Sequence, residues 1–497
     1  MSSDLKPPSG SSSRPSLPEQ PLFPGRQAPT TGERAARNFL SLALPEPINR
    51  ASRFAAAVVL ARGLTLHDYS LVNIGIAAAG LAMTFTTLGL PEIGARDIAI
   101  DHGLASWLAG RIVAARAVAL LAIIAIALAV GLLVAPSDLP IIIASGAMAL
   151  SAALSAEWLL RGKERMRQLG LATAAGGVTV LIGSLVVVAL TRSAFAALGI
   201  FALGEIVASA LCWRAARPIQ VSPGYAGLTA LLRRSWPVAL STIAFQTYYA
   251  NFDTLIIAAT RSTDQAGLYS AAYRVFLTLN VVSIFAAMAL LPLLARARHD
   301  HDDGLANRIL VRSLRPLAGY GLVVVGVTEA FGRPLLTALF GHRFGGMDHV
   351  LVALCIGLMW YVLGYPAGYA FIAGNQSRRF LAGAATAAVL DVVLDLSLIP
   401  IMGPLGAALA MAIALSAACV VWLYLHGLAT GDARWLLLLL FAVSMAAIAA
   451  EDVPASNAII AAATLGLGLA LGLSSLRPLL REIAARRSLQ SGGTDPG

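Results

Sequence analysis

Several ionisable side chains interrupt long apolar stretches of the sequence, and their spacing suggests chemistry. Arg50 and Arg53, three residues apart, share one face of an apolar run that opens with Pro45 and Pro47. A charge at the centre of a membrane helix costs on the order of 2.5–3.5 kcal/mol, so it is expected to face a cavity or a partner. Two guanidinium forks aimed into a cavity suit phosphate oxygens, and the nearby prolines would bend or open the helix. Asp253 sits in another apolar run beside Tyr248, Tyr249 and Asn251. Their hydroxyl and amide groups could hydrogen-bond a sugar, although tyrosine in such a run also serves packing. Asp391 and Asp395 are four apart and share a helix face, as a hydrogen-bonding pair or as an ion-responsive site. Arg274, Glu157 and Glu329 lie near the ends of their runs, where a side chain can reach water. Arg50, Arg53, Arg274, Tyr249 and Asn251 are therefore the candidate substrate contacts, and Asp253, Glu205, Asp391 and Asp395 the candidates for ion coupling or a gate.

Other chemistry has little support. The sequence has no G-x-x-x-x-G-K-[ST] phosphate loop, and its seven His form no metal-spaced cluster. His299 and His301 belong to a solvated charge run, HDHDD. Cys212, Cys355 and Cys419 lie inside apolar runs as small hydrophobes. No connection is long enough to house a catalytic domain. The expectation is a transporter without a cofactor rather than an enzyme, driven by an ion gradient such as H+ or Na+, by the membrane potential or by substrate removal on the far side.

The elements that must position these residues follow from composition. Of 497 residues, 58% are apolar and 12% charged, with a mean hydropathy of +0.77; soluble domains carry about 25% charge. Disordered, collagen-like and disulfide-rich classes are excluded, and the class indicated is an all-α polytopic membrane protein. No charge occurs between Arg116 and Asp138 or between Arg167 and Arg192. Residues 1–35, rich in Ser, Pro and Gly, read as a disordered tail without a signal peptide. Fourteen helices are predicted, at 38–62, 70–91, 112–135, 139–161, 169–190, 194–214, 235–260, 271–295, 314–340, 350–374, 380–400, 404–426, 432–450 and 455–477. Most of the 36 Lys and Arg fall in the tails and after the even-numbered helices. By the positive-inside rule both termini are cytoplasmic. The net charge of +10 is thus a matter of topology and does not indicate nucleic-acid binding.

A repeat at about 200 residues organises the chain. Arg62 to Tyr69-Ser70 recurs as Arg261 to Tyr269-Ser270. LGLPEIGARD (88–97) recurs as ALLPLLARAR (289–298), aligning Pro91 with Pro292. EWLLRGKERMRQLG (157–170) recurs loosely as YAFIAGNQSRRFLAG (369–383). Two homologous six-helix lobes are expected, helices 1–6 (36–217) and 7–12 (228–426), followed by helices 13 and 14 (432–477) and a cytoplasmic tail (478–497). Substrate sites of such repeats lie at the lobe interface. The repeat sets Asp253 opposite Arg53, as a gate pair, a substrate site with a coupling acid, or a structural ion pair.

The stretches NRASRFAAAVVLARGLTLHDYS (49–70), LGLPEIGAR, SAEWLLRGKERMR (155–167) and NFDTLIIAATRSTDQAGLYSAAYRV (251–275) carry a family resemblance. Over residues 38–426 the chain resembles the Wzx-type polysaccharide-repeat-unit flippases of the multidrug/oligosaccharidyl-lipid/polysaccharide exporter superfamily. Ala156 departs from the proline expected before Glu157-Trp158, which bears on the shape of helix 4. The resemblance implies two lobes alternating between inward-open and outward-open states in a bacterial inner membrane. It implies undecaprenyl-diphosphate-linked oligosaccharide as cargo, with membrane lipids, a polysaccharide polymerase and glycosyltransferases as partners. A lipid II flippase and a multidrug or ion antiporter share the layout and remain alternatives. A membrane-embedded glycosyltransferase or polymerase would need an extramembrane catalytic loop.

Overall fold

The computed structural model describes residues 45–134, 139–219, 227–247, 252–299, 303–374, 376–428, 433–449 and 458–474. Among the described residues there are helices and no strands. The first half comprises α1 (Pro45–Gly63), α2 (Leu66–Thr87), α3 (Leu90–Ile100), α4 (Ala105–Val134), α5 (Leu139–Ala153), α6 (Glu157–Gly162), α7 (Met166–Leu190) and α8 (Ala194–Ala216). The second comprises α9 (Leu228–Thr247), α10 (Phe252–Thr260), α11 (Thr263–Leu279), α12 (Val281–His299), α13 (Asp303–Phe340), α14 (Asp348–Ala373), α15 (Ser377–Met402) and α16 (Pro404–Leu425). Then follow α17 (Ala433–Ala449) and α18 (Ala458–Ser474). Ten described segments are long and apolar enough to cross a membrane, and α17 and α18 are shorter apolar helices.

Within the described residues each expected span coincides with helix, but several are divided. The second ends at Thr87 because Leu88 (φ 51°) and Gly89 (φ 66°) are left-handed, and Pro91 then starts α3. Gly89 is required twice over. A Cβ there would also meet the backbone of α9, 2.6 Å from Ala239 N and 2.9 Å from Ser235 O. The fourth span breaks at residues 154–156 although Ala156 replaces the expected proline. Trp213 Nε1 takes up the Leu154 carbonyl at 2.8 Å, and Ser155 Oγ accepts from Glu157 N at 3.3 Å, so side chains replace the lost helical bonds. The seventh span comprises α9 and α10, with residues 248–251 outside the described set. The eighth starts earlier than predicted, at Thr263, and is interrupted at Asn280. α13 runs 38 residues, about 57 Å, well beyond the ~30 Å of a hydrocarbon core.

The repeat is realised in packing. Helix 1 of the first half lies on helix 5 (α1 on α7), as helix 7 lies on helix 11 (α9 and α10 on α15). Likewise α2 packs on α5 and α8, and α11 on α14 and α16. Even the caps recur, since Thr65 accepts from Asp68 N and Ser262 from Gln265 N. The two halves touch where α2 crosses α11. A Cβ on Gly267 would lie 1.9 Å from Ser70 Oγ and 2.9 Å from its Cα, so glycine permits the crossing.

Candidate functional site

The first half carries mixed charge. Arg53 on α1 donates from Nη2 to Glu205 Oε1 on α8 at 2.7 Å and from Nε to Asn49 Oδ1 at 3.1 Å. One turn back, Arg50 Nε donates to Glu46 Oε1 at 2.8 Å, and Arg161 Nη2 reaches Glu157 Oε2 at 3.3 Å. Glu46, Asn49, Glu157 and Arg161 line a polar cavity of about 400 Å³ with Met166, Leu169 and Thr173. Each of these arginines holds an acid of its own half.

Arg274 differs. It projects from α11 to the seam between halves, where Nη2 donates to Asn73 Oδ1 on α2 at 3.0 Å. Buried Asn73 is oriented by its own Nδ2, which donates to Tyr69 O at 2.8 Å. No carboxylate pairs with Arg274 among the described residues. Its guanidinium also lies beside the Tyr69 hydroxyl, so an anion entering the seam would compete with neutral partners rather than with a carboxylate.

The second half gathers its acids. Asp253 on α10 and Asp391 and Asp395 on α15 are all buried, with carboxylate oxygens within 4.8 Å of one another. Tyr269 Oη donates to Asp253 Oδ2, while no described donor reaches Asp391 Oδ1 or either oxygen of Asp395. The three helices that meet here are fixed by α15 packing on α10 and by the α10–α11 contact. Three such groups cannot all stay ionised without a compensating charge; a shared proton or a bound cation provides it.

The expected Arg53–Asp253 pairing is not formed. Arg53 is bound to Glu205 and Asp253 to Tyr269, each within its own half. Equivalence in the repeat does not by itself bring two residues together; the halves meet closely where Gly267 packs on Ser70. Tyr249 and Asn251, with Tyr248, lie outside the described residues. Tyr269 and Asn73 were missed as site residues; the recurrence of Tyr69 and Tyr269 was the available signal for the former.

The seam is shut at both ends. On the face bearing the α1–α2 turn, Arg62 Nε donates to Leu339 O at 2.8 Å and its Nη2 to Ala338 O, at the end of α13. Arg343, just beyond α13, returns the contact to Leu64 O at 2.8 Å and to Ala61 O at the end of α1. Each helix C-terminus is thus capped by an arginine from the other half. Beneath lie Phe54, Phe340, Phe344 and Tyr69, with ring centroids 5.5–6.1 Å apart. On the opposite face, Arg234 on α9 holds Asp97 on α3 through two bonds, 2.9 and 3.2 Å.

Residues 35–298 match the sequence profile of the family described as polysaccharide biosynthesis protein, more than half of the chain. The chain belongs to that family. No curated protein matches the sequence. Among solved structures, a lipid II flippase MurJ in an inward closed conformation superposes with a TM-score of 0.67 at 14% identity, covering 90% of this chain and 100% of that one. An inward-facing multidrug resistance MATE transporter of the MOP superfamily superposes at 0.59 and 16%, covering 82% and 99%. A MOP superfamily transporter from Pyrococcus furiosus gives 0.50 and 16%, covering 82% and 96%. These likenesses establish the shared transporter fold of this family member.

Proposed function

We propose that the protein flips an undecaprenyl-diphosphate-linked oligosaccharide from the cytoplasmic to the outer leaflet of a bacterial inner membrane. The observation that carries this reading is Arg274, a cation at the seam between halves that no carboxylate neutralises among the described residues. A diphosphate is an anion whose oxygens fit a guanidinium fork, and a seam with closures at both ends is suited to alternating access. The family match supports a saccharide as the rest of the cargo. Arg50 and Arg53 exchange their glutamates for the diphosphate as it moves along the first half.

The arginine distribution orients the face with Arg62 and Arg343 outward and that with Asp97 and Arg234 toward the cytoplasm. Opening inward breaks the Asp97–Arg234 pair, and opening outward releases the two arginine caps. The energy comes from a cation or proton taken up at Asp253, Asp391 and Asp395 when the site faces out and released when it faces in. Differential binding of that ion to the two states biases their populations. A drug antiporter would favour an acidic seam for cationic cargo, opposite to Arg274.

The test is flipping of a fluorescent undecaprenyl-diphosphate-linked disaccharide in proteoliposomes. Arg274→Gln is expected to lower the rate by about 100-fold, as loss of a hydrogen bond to a charged group allows, and Arg274→Lys to restore only part of it. Wild-type rates in Arg274→Gln would refute anion recognition at the seam. Flipping of lipid II at an equal rate would favour the lipid II reading instead.

A further inference from the structure

A long apolar cavity faces the membrane. A groove of about 1020 Å³ runs between α2, α4, α5 and α10, so both halves of the chain wall it. Along α2, Leu71, Ile74, Ala78, Ala82 and Phe85 follow one helical face from His67. His67 to Phe85 spans about 27 Å at 1.5 Å per residue, close to the ~30 Å hydrocarbon thickness. Phe85, Ile126 and Val130 are exposed on its rim, so the groove opens to the lipid-facing surface. Polar groups gather at one end, where His67 and Thr263 lie and His67 Nδ1 comes within 3.7 Å of Asp264.

We infer that this groove holds the polyisoprenoid tail of the cargo, an inference that rests on the reading above. Three observations favour that occupant over a straight acyl chain. Small residues such as Ala78, Ala82, Gly146 and Ala258 widen the groove, as a methyl-branched chain requires. Its length matches a chain laid along the bilayer normal. A single helix separates it from Arg274, since α2 presents Asn73 to that arginine while the adjacent Ile74 lines the groove. A diphosphate in the seam and its tail in the groove then straddle α2, and the tail follows its head group because α10 of the second half forms one wall.

The experiment places a photoreactive benzophenone side chain at Ala82 of the full chain in nanodiscs of phosphatidylglycerol, with a second variant at lipid-facing Val389 on α15. Two probes are added in trace amounts, the undecaprenyl-diphosphate-linked disaccharide and undecaprenol without a head group. Adducts of both probes at Ala82 are expected about tenfold above their membrane fraction, with none enriched at Val389, and Ala258→Trp should abolish the enrichment. Enrichment of undecaprenol alone would keep the groove and refute the head-group reading. Phospholipid adducts in proportion to membrane composition at both positions would overturn the groove as a tail site, and so would labelling that survives Ala258→Trp.

Discussion

The two halves share a fold yet hold buried charge in opposite ways. In the first, Arg53 meets Glu205 and Arg50 meets Glu46, so each cation is answered by an anion in reach. In the second, Asp253, Asp391 and Asp395 are buried together, with the Tyr269 hydroxyl bonded to Asp253. A neutralised pair changes only when another anion takes the place of its carboxylate, because removing one partner strands the other. An all-acid cluster invites change, because a proton or cation relieves its repulsion. Fold symmetry therefore does not carry over into chemical symmetry, and under the proposed function the second half is the one that responds to an ion.

The contrast predicts opposite signs for charge removal. Arg53→Gln strands Glu205, whose side chain is only 17% exposed, and should lower stability by about 1–3 kcal/mol in thermal unfolding. The Arg53→Gln, Glu205→Gln double variant should recover most of that loss. Asp395→Asn is expected to do the reverse, raising stability by about 1–2 kcal/mol in cation-free buffer by removing like-charge repulsion. It should also remove the stabilisation that added cation gives the wild type through binding to the folded state. A loss of stability in Asp395→Asn would mean that the cluster is a structural network like that of the first half.

Smaller effects follow at the closures. The Asp97–Arg234 pair is bidentate, but the arginine is 56% exposed. Its loss in Asp97→Asn should cost at most about 1 kcal/mol while raising the labelling of a cysteine at buried Ser235, beside Arg234, by a cytoplasmic maleimide several-fold. Unchanged labelling would show that this contact does not hold the seam shut. Arg50→Gln should be the mildest, because an i,i+4 pair at 35% and 34% exposure contributes roughly 0.5 kcal/mol or less. A larger effect on stability would mean that the Arg50–Glu46 pair is as desolvated as that of Arg53 and Glu205.

How much of this was legible in the sequence depends on the range of the interaction. Charge-free runs and the arginine asymmetry revealed the helices, because bilayer insertion is read segment by segment. The recurrence of Arg62 and Tyr69 at Arg261 and Tyr269 revealed the repeat, and their helices do pack alike. The left-handed turn at Leu88 and Gly89 was hidden within apolar composition, since the approach of Ala239 from α9 imposes it. Asp391 and Asp395 were visible as a helical pair, but their meeting with Asp253 is tertiary. The Arg53–Glu205 contact, 152 residues apart in the chain, is tertiary and has no sequence signal, and sequence equivalence to Asp253 says nothing of proximity. The reciprocal caps of Arg62 and Arg343 left no motif, as their acceptors are backbone carbonyls.

The central claim is that the acid cluster of the second half couples flipping to an ion gradient. Its most direct test is the rate of lipid-linked disaccharide flipping in proteoliposomes under an imposed pH or sodium gradient, for wild type and for Asp253→Asn, Asp395→Asn. The account predicts that a gradient of one of these ions, higher on the Arg62 face, accelerates the wild type severalfold and leaves the variant unaffected. An identical response in both proteins, or none in the wild type, would contradict it.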